Sequence, residues 1–591
     1  MKLSDYVMQF LADKGVGTVF MLPGGGCMHL VDSLGRTQGL SYVACLHEQA
    51  ASIAAESYAQ NTNGLGAVLV TTGPGGTNAI TGLAAAWIDS TPVMFISGQV
   101  KRSDRIGDSG VRQMGSQEVD IVPVVKSMTK YAVTVMEPKK IRQILEEAYD
   151  CAMTARRGPV WIDIPLDVQA AEIDEANLEG FVPAKEEHKK DMDILQDIKG
   201  ILEHSSRPLV LAGNGVKSAG MSEQLEKFIH QTGIPALLTW KTLDMLDAED
   251  SLNFGCPGVM GHRYANFILQ NADCLLILGS RLDSSLTAWN HGNFAPKAKK
   301  IMIDVDASEI GKMSMDLEMI LVENLKDVLP KLCQQEIFMD SERLEKWLDY
   351  CRALRAKYPA VSEEMRQERE YVNAHAFIEE LSSQLTSEDV IVPESSGGAG
   401  EITYQAFKVK KGQKIRNAAG LGSMGFGIPY AMGACIANDR RRTVLINGDG
   451  AFQLNIQELA TVVGQKLPIK IFIWENGGYA SIQATQRNYF GGNYVGSNVA
   501  SGLFVPDLLK VAVAYGLKTF CMRNNDEMKA QIAEVLATEG PVLCVVKVSP
   551  TEVAMPRVQS MKLPNGSMAS KPLEDMWPYL DESELKLNML D

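Results

Sequence analysis

Short apolar runs alternate along the chain with longer stretches in which apolar positions recur every three or four residues. Thr18–Leu22, Tyr42–Cys45, Ala67–Thr71, Val93–Ser97 and Val160–Ile164 read as buried strands, with helices such as Glu48–Gln60 and Gly76–Trp87 between them. Strands that alternate with helices predict a parallel sheet covered on both faces. The pattern returns at Leu209–Ala212, Ala236–Leu238, Cys274–Leu278 and Lys300–Ile303, and again at Val390–Pro393, Thr443–Asn447, Ile469–Trp474 and Pro541–Val546. The expected fold is therefore α/β, with three doubly wound parallel-sheet domains of similar size, at 1–173, 194–333 and 371–548. Asp174–Asp193 is polar and reads as a linker, and Gln334–Glu370 as a charged helical connection. A tail, 549–591, carries five prolines and a turn at LPNGSM.

Composition narrows the function classes. The chain has 591 residues, a net charge of −15 and no basic tail, which argues against a nucleic-acid or polybasic membrane-surface protein. No apolar run reaches the length of a membrane span, and the N-terminus lacks the apolar core of a signal peptide. The ten cysteines are scattered without a CxxC pair, as expected of a protein in the reducing cytoplasm. His47-Glu48 opens like a zinc-protease motif, but Ala51 stands where the second histidine is required. An anionic ligand of so acidic a chain must be held by a local device.

One such device is legible. The strand Thr443–Asn447 runs into Gly448-Asp449-Gly450-Ala451 and a helix, and the strand Ile469–Trp474 runs into Glu475-Asn476-Gly477-Gly478. A right-handed βαβ unit brings Asp449 and Asn476 to the same, carboxyl, edge of a sheet. A carboxylate, an amide oxygen and a backbone carbonyl at Gly478 suit Mg²⁺, and Gly450 admits phosphate oxygens to backbone N–H groups. Glu48, by contrast, is on local grounds only a first-turn carboxylate favoured by a helix dipole.

Gly448-Asp449-Gly450, 24 residues and then Glu475-Asn476 resembles the thiamine diphosphate (ThDP) fingerprint, with Glu475 in place of the usual first asparagine. Together with HEQAASIAAESYA, Pro23–Gly26, Gly73–Asn78, Ser97–Gln99, Gln117–Asp120 and Gly420–Gly427, it makes the chain resemble acetolactate synthase-like 2-oxo-acid carboligases and decarboxylases. The resemblance implies a ThDP-binding fold in the first and third blocks, which bind pyrimidine and diphosphate respectively. It assigns catalysis to Glu48, Gly25 and Gln117, with Glu48 on the aminopyrimidine ring and Gly25 beside the developing oxyanion. It assigns cofactor contacts to Pro23, Gly24, Thr72, Gly73, Asn78, Ser396, Gly397, Gly398, Gly422, Met424, Gly448, Gly450, Ala451, Tyr479, Ala480, Ser481 and Ile482. Met424 is the wedge between the two cofactor rings, and the Gly422 carbonyl is the amino-group partner. The implied metal ligands are Asp449, Asn476 and Gly478.

In the central block Gly213, Gly215, His262, Gly279, Arg281 and Asp283 resemble FAD contacts of the flavin-binding branch. Flavin-free relatives share some of these residues, and Ser285 stands where an arginine touches flavin. Any FAD would be structural, because the reaction has no net redox step. The expected reaction is decarboxylation of a 2-oxo acid such as pyruvate, with transfer of the two-carbon unit to an acceptor carbonyl. Departures from acetolactate synthases at Ser116, Ser481 and Thr485, and a tail similar to those of carboligases in surface-sugar pathways, point to an acceptor larger than pyruvate, such as a keto sugar nucleotide. A simple decarboxylase and a non-catalytic binding protein on the same fold are the alternatives. A homodimer or homotetramer is implied, because the catalytic carboxylate and the diphosphate site come from different subunits in this family.

Overall fold

The computed structural model describes residues 1–183, 192–564 and 566–590. Part of the linker expected at Asp174–Asp193 therefore lies outside the described residues. Seventeen strands form three sheets that are parallel throughout. The first sheet is built from β1 (Thr18–Met21), β2 (Ser41–Ala44), β3 (Gly66–Val70), β4 (Val93–Gln99), β5 (Tyr131–Thr134) and β6 (Val160–Pro165), in the order β2-β1-β3-β4-β6-β5. The central sheet has β7 (Pro208–Ala212), β8 (Ala236–Leu238), β9 (Cys274–Leu278), β10 (Lys299–Asp304) and β11 (Met319–Val322), in the order β11-β10-β9-β7-β8. The third has β12 (Val390–Pro393), β13 (Lys414–Ile415), β14 (Thr443–Gly448), β15 (Ile469–Glu475), β16 (Lys518–Met522) and β17 (Val542–Lys547), in the order β13-β12-β14-β15-β17-β16.

Renumbered from their own first strands, the first and third sheets share the order 2-1-3-4-6-5, and the central sheet is 2-1-3-4-5. Each sheet thus reverses direction between its strands 1 and 3. Loops leaving the carboxyl ends of those two strands part to opposite faces and open a crevice, where ligands of such sheets bind. Every candidate site of this chain lies at one of these three crevices.

The thirteen sheet strands expected from the apolar runs all form. β5, β11, β13 and β16 were not expected. All four lie at sheet edges, and their residues are half-buried or alternate, so they lack the continuous apolar run of a strand covered on both faces.

One helix pair joins the first and third domains. Helix Glu48–Thr62 carries a run of small residues (Ala50, Ala51, Ser52, Ala54, Ala55, Ser57), and helix Gly427–Ala437 is likewise rich in Gly and Ala. Their backbones touch: a Cβ on Gly433 would lie 2.1 Å from the Ala54 carbonyl oxygen. Ser57 Oγ donates to the Tyr430 carbonyl at 2.6 Å across the same contact. One core runs through both domains as a result, from Phe20 and Phe95 to Phe426 and Leu445.

The central domain is tied to the others by buried ions. Lys241 Nζ donates to Asp89 Oδ2 (2.6 Å) and to the Asn417 carbonyl (3.0 Å), so one ammonium spans three domains. Asp244, also buried, accepts from both Lys217 and Arg416. The tail docks on the central domain: Val558 N donates to the Val259 carbonyl at 2.8 Å, and Asn266 Nδ2 to the Leu573 carbonyl at 2.9 Å. Among the described residues no helix is long and apolar enough to cross a membrane.

The backbone contact at Gly433 has a testable cost. Gly433→Val is expected to destabilise the fold by about 2 kcal/mol, the usual scale of core overpacking. Gly464→Ala, where a Cβ meets nothing within 4 Å, should leave the thermal midpoint nearly unchanged. Equal midpoints for Gly433→Val and the unaltered protein would show that the helix pair can separate at no cost.

Candidate active site

The crevice of the first sheet lies between the loops after β1 and β3. A Cβ on Gly24 would come within 2.5 Å of the Thr71 side chain, so the Pro23–Gly26 loop can lie on β3's exit only because it is glycine. Gly26 N donates to Thr71 Oγ1 at 3.1 Å, and Thr72 Oγ1 to Gln99 Oε1 at 2.8 Å. Gly73 has φ +60° and turns the chain into helix Pro74–Asn78. The Gln117 backbone lies against it: a Cβ on Gly73 would meet the Gln117 carbonyl oxygen at 1.9 Å. Gln117 itself is exposed and left-handed (φ 62°), and it is held there by Glu118, whose buried carboxylate accepts from the N–H groups of Ile106, Met114 and Gly115.

Glu48 begins helix Glu48–Thr62 directly after β2 and is buried. Asn78 Nδ2 donates to its Oε2 at 3.0 Å. The structure therefore brings Glu48, Asn78, Gly73, Thr72 and Gly24 to one edge of one sheet.

The crevice of the third sheet lies between the loops after β12 and β14, with that after β15 beside them. Gly397 (φ +76°) caps helix Gly398–Ala406, and a Cβ there would be 3.3 Å from Ser481 Oγ in the first turn of helix Ala480–Tyr489. Two helix N-termini thus converge. Gly450 is overlain by Tyr479, whose ring would be 2.6 Å from a Cβ at that position. Gly422 (φ +63°) and Gly425 (φ +87°) bend the Gly420–Gly427 segment around the half-buried Met424, and Asn455 Nδ2 holds it by donating to the Gly425 carbonyl at 2.7 Å.

Asp449 sits at the centre of this second group. Its buried carboxylate accepts from the N–H groups of Gly450 (2.7 Å), Asn476 (3.2 Å), Gly477 (2.9 Å) and Gly478 (3.1 Å). Burial nevertheless pushes its pKa up to about 6. The side-chain amide of Asn476 lies 3.2 Å from both Asp449 Oδ1 and the Gly478 carbonyl oxygen. Turned nitrogen-inward, it donates to both. Turned oxygen-inward, it completes a set of three oxygens with no proton between them, which only a cation can hold together. The residues present thus fit a hard divalent ion. Glu475, the departure from the fingerprint, points elsewhere, to an ion pair with Lys547 on the neighbouring β17.

Comparison with known proteins bears on this geometry. Residues 1–124 match the thiamine pyrophosphate enzyme N-terminal TPP binding domain, 195–332 the central domain, and 396–546 the C-terminal TPP binding domain. The chain is 32% identical over 574 residues to the acetolactate synthase isozyme 2 large subunit of Escherichia coli (strain K12), covering 97% of this chain and 99% of that protein. It belongs to the thiamine pyrophosphate enzymes. It is 30% identical over 560 residues to the acetolactate synthase large subunit of Lactococcus lactis, and 31% over 570 to a probable one of Methanocaldococcus jannaschii, each match covering 94% of this chain. This thiamine pyrophosphate enzyme is accordingly an acetolactate synthase-like carboligase, as the motifs of its first and third blocks imply.

The enzyme's third crevice, between β7 and β9 of the central domain, opens into a cavity of about 870 Å³ that reaches the first and third domains. Gly213, Gly215, Gly279, Arg281 and Asp283 all line it. Gly215 N donates to the Gly279 carbonyl at 2.9 Å, and side chains at either glycine would collide with the other's backbone. His262 is not among the residues that line this cavity. Its Nδ1 accepts from Cys256 N at 3.0 Å, so Nε2 bears the proton and donates to the Gln405 carbonyl at 2.8 Å. Burial keeps the ring neutral, and it serves as a clip between the central domain and helix Gly398–Ala406. Met260 stands in the cavity wall, and Asp304, at the end of β10, adds a carboxylate.

A carboxylate facing this crevice would repel a diphosphate, and Glu394 closes β12's exit just before the Ser396–Gly398 loop. It turns away and is fully buried, accepting from Ser395 N (2.9 Å) and Gly427 N (3.0 Å). Burial raises its pKa from 4.5 to about 7. The folded protein therefore keeps a proton that the unfolded chain has already lost. Its penalty is absent below about pH 4.5 and grows as the pH rises through 7, to about 3 kcal/mol. Glu394→Gln should flatten the decline in thermal midpoint between pH 5 and pH 8. An unaltered slope would show that this carboxyl ionises freely.

Proposed function

We propose that the enzyme decarboxylates the 2-oxo acid pyruvate and joins the resulting two-carbon unit to the carbonyl of a larger acceptor such as a keto sugar nucleotide. The observation that carries the cofactor part is the three-oxygen set of Asp449, Asn476 and Gly478 beside two converging helix N-termini. Those oxygens hold Mg²⁺, and the ion, the Ser396–Gly398 loop and the Gly448–Ala451 turn together answer a diphosphate. Bound ThDP supplies a thiazolium carbon that acts as nucleophile and electron sink.

The rest falls to the chain's own groups. Glu48 moves a proton at the pyrimidine ring nitrogen, and its burial against Asn78 excludes the water that would compete for that proton. The Gly422 carbonyl would accept from the pyrimidine amino group, and Met424 would pack against the bound cofactor. Gly25 and the exposed Gln117 face the reacting carbon from the first domain. Exposed apolar side chains near these groups, Leu46, Leu454 and Ile482 among them, favour a homodimer in which each subunit completes the other's site.

The acceptor reading rests on helix Ala480–Tyr489. Ser481 and Thr485 lie one turn apart and exposed, and Thr485 Oγ1 donates to the Ser481 carbonyl at 3.1 Å. Two small residues leave room beside the cofactor where bulk would confine the site to pyruvate. The cavity of the central domain is read as the site of a structural FAD.

Glu48→Gln is expected to lower turnover of pyruvate at least about 100-fold while cofactor binding persists. Unchanged turnover would refute the role of Glu48. With labelled pyruvate and a keto sugar nucleotide, mass spectrometry should find a labelled two-carbon adduct of the sugar. Acetaldehyde alone would sink the carboligase reading, and acetolactate alone would limit the acceptor to pyruvate. Exhaustive chelation should release ThDP and abolish activity, and added Mg²⁺ should restore both. Retention of ThDP by the metal-free protein would count against the Asp449–Asn476 site.

A further inference from the structure

The mouth of the central cavity carries a side chain that no feature of the fold requires. Helix Ser284–Thr287 is a single turn that ends on Ala288 with φ +51°, and Trp289 follows with φ +55°. Two successive non-glycine residues in the left-handed region strain the backbone. The turn is pinned by Trp289 N, which donates to the Ser284 carbonyl at 3.0 Å. Ala288 before it is buried, whereas Trp289 and Asn290 are exposed, and Trp289 lines the cavity with 66% of its surface exposed. The strained backbone thus holds a large flat ring out of the core and over the opening.

The chemistry behind that ring is that of a nucleotide site. The floor is the close-packed pair of Gly213–Gly215 and Gly279 at the reversal of strand order. Lys326 and Arg281 supply positive charge in the wall. Asp304 lines the cavity beside them, and its Oδ1 accepts from Asp306 N at 3.0 Å.

We propose that Trp289 is a binding residue that stacks on the planar heterocycle of a ligand containing an adenosine diphosphate group and closes the cavity over it. This rests on reading the cavity as a nucleotide site. FAD and ADP share that chemistry, and the test separates them.

The full-length protein, freed of bound small molecules by gel filtration, is titrated with FAD and separately with ADP. Binding is read by equilibrium dialysis and by quenching of tryptophan emission. At least one of the two should bind. Trp289→Ala should weaken that ligand about tenfold and remove part of the quenching, whereas Trp289→Phe should bind within about threefold of the unaltered protein. Because Trp289 is largely exposed, both variants should keep the original thermal midpoint. FAD binding without ADP binding identifies the flavin ring as necessary, and ADP binding shows that adenine suffices. Equal affinities for the unaltered protein and Trp289→Ala would overturn the role of Trp289 and leave the nucleotide reading intact. Failure of both ligands to bind the unaltered protein would overturn the nucleotide reading and this proposal with it.

Discussion

The contact between helices Glu48–Thr62 and Gly427–Ala437 is the constraint on which the other placements depend. Both helices are buried on nearly every side, so their stability comes from each other and from the two sheets that they cover. Backbone-to-backbone approach at Gly433 and Ala54 excludes any larger side chain at that point. The same rigid helix begins with Glu48, and Leu46 N just before it donates to Glu458 Oε1 of the third domain at 2.9 Å. Gln49 is tied to Asn455, which in turn holds the Met424 segment. The carboxylate proposed to be catalytic and the segment proposed to support the cofactor are thus positioned by one packed interface.

A second constraint repeats three times. At the strand-order reversals of the first and central sheets, and between the adjacent β14 and β15 exits of the third, two loops pass within van der Waals distance, and glycine stands at the closest point: Gly24, Gly213 with Gly279, and Gly450. The chain's net charge of −15 gives the sites no general attraction for an anion. Local N–H groups, helix N-termini and a cation have to supply it, and the crevices are where such groups can be brought together.

The domains are held to one another by charge as well as by apolar packing. Removing water from Asp89, Lys241, Asp244 and Arg416 is costly, and the pairs offset that cost because every carboxylate oxygen accepts a hydrogen bond and the Lys241 ammonium donates to two oxygens. Such pairs favour one arrangement of the domains, since any other would leave a charge buried without its counter-ion. Gly420 N donates to Asp89 Oδ1 at 3.1 Å, so the knot reaches the start of the Met424 segment.

Much of this was legible in the amino-acid order. Buried parallel strands read as continuous apolar runs, and the Gly-Asp-Gly and Asn-Gly-Gly turns mark sheet edges because backbone geometry there demands glycine. The edge strands β5, β11, β13 and β16 were hidden, since one side of each meets solvent and the apolar run is broken. The roles of single side chains were hidden too. His262 and Glu394 sit in motif-like segments, but their partners, the Gln405 carbonyl and Gly427 N, come from 143 and 33 residues away. Asp304, Lys241 and Trp289 became visible as cavity walls only when three domains met around one space. The sequence by itself determined the strands, the helices and the glycine turns, because those follow from local sterics and periodicity. Which polar groups face a site and which are consumed in holding the domains together was decided by the tertiary structure, because that depends on hydrogen-bond partners far away along the chain.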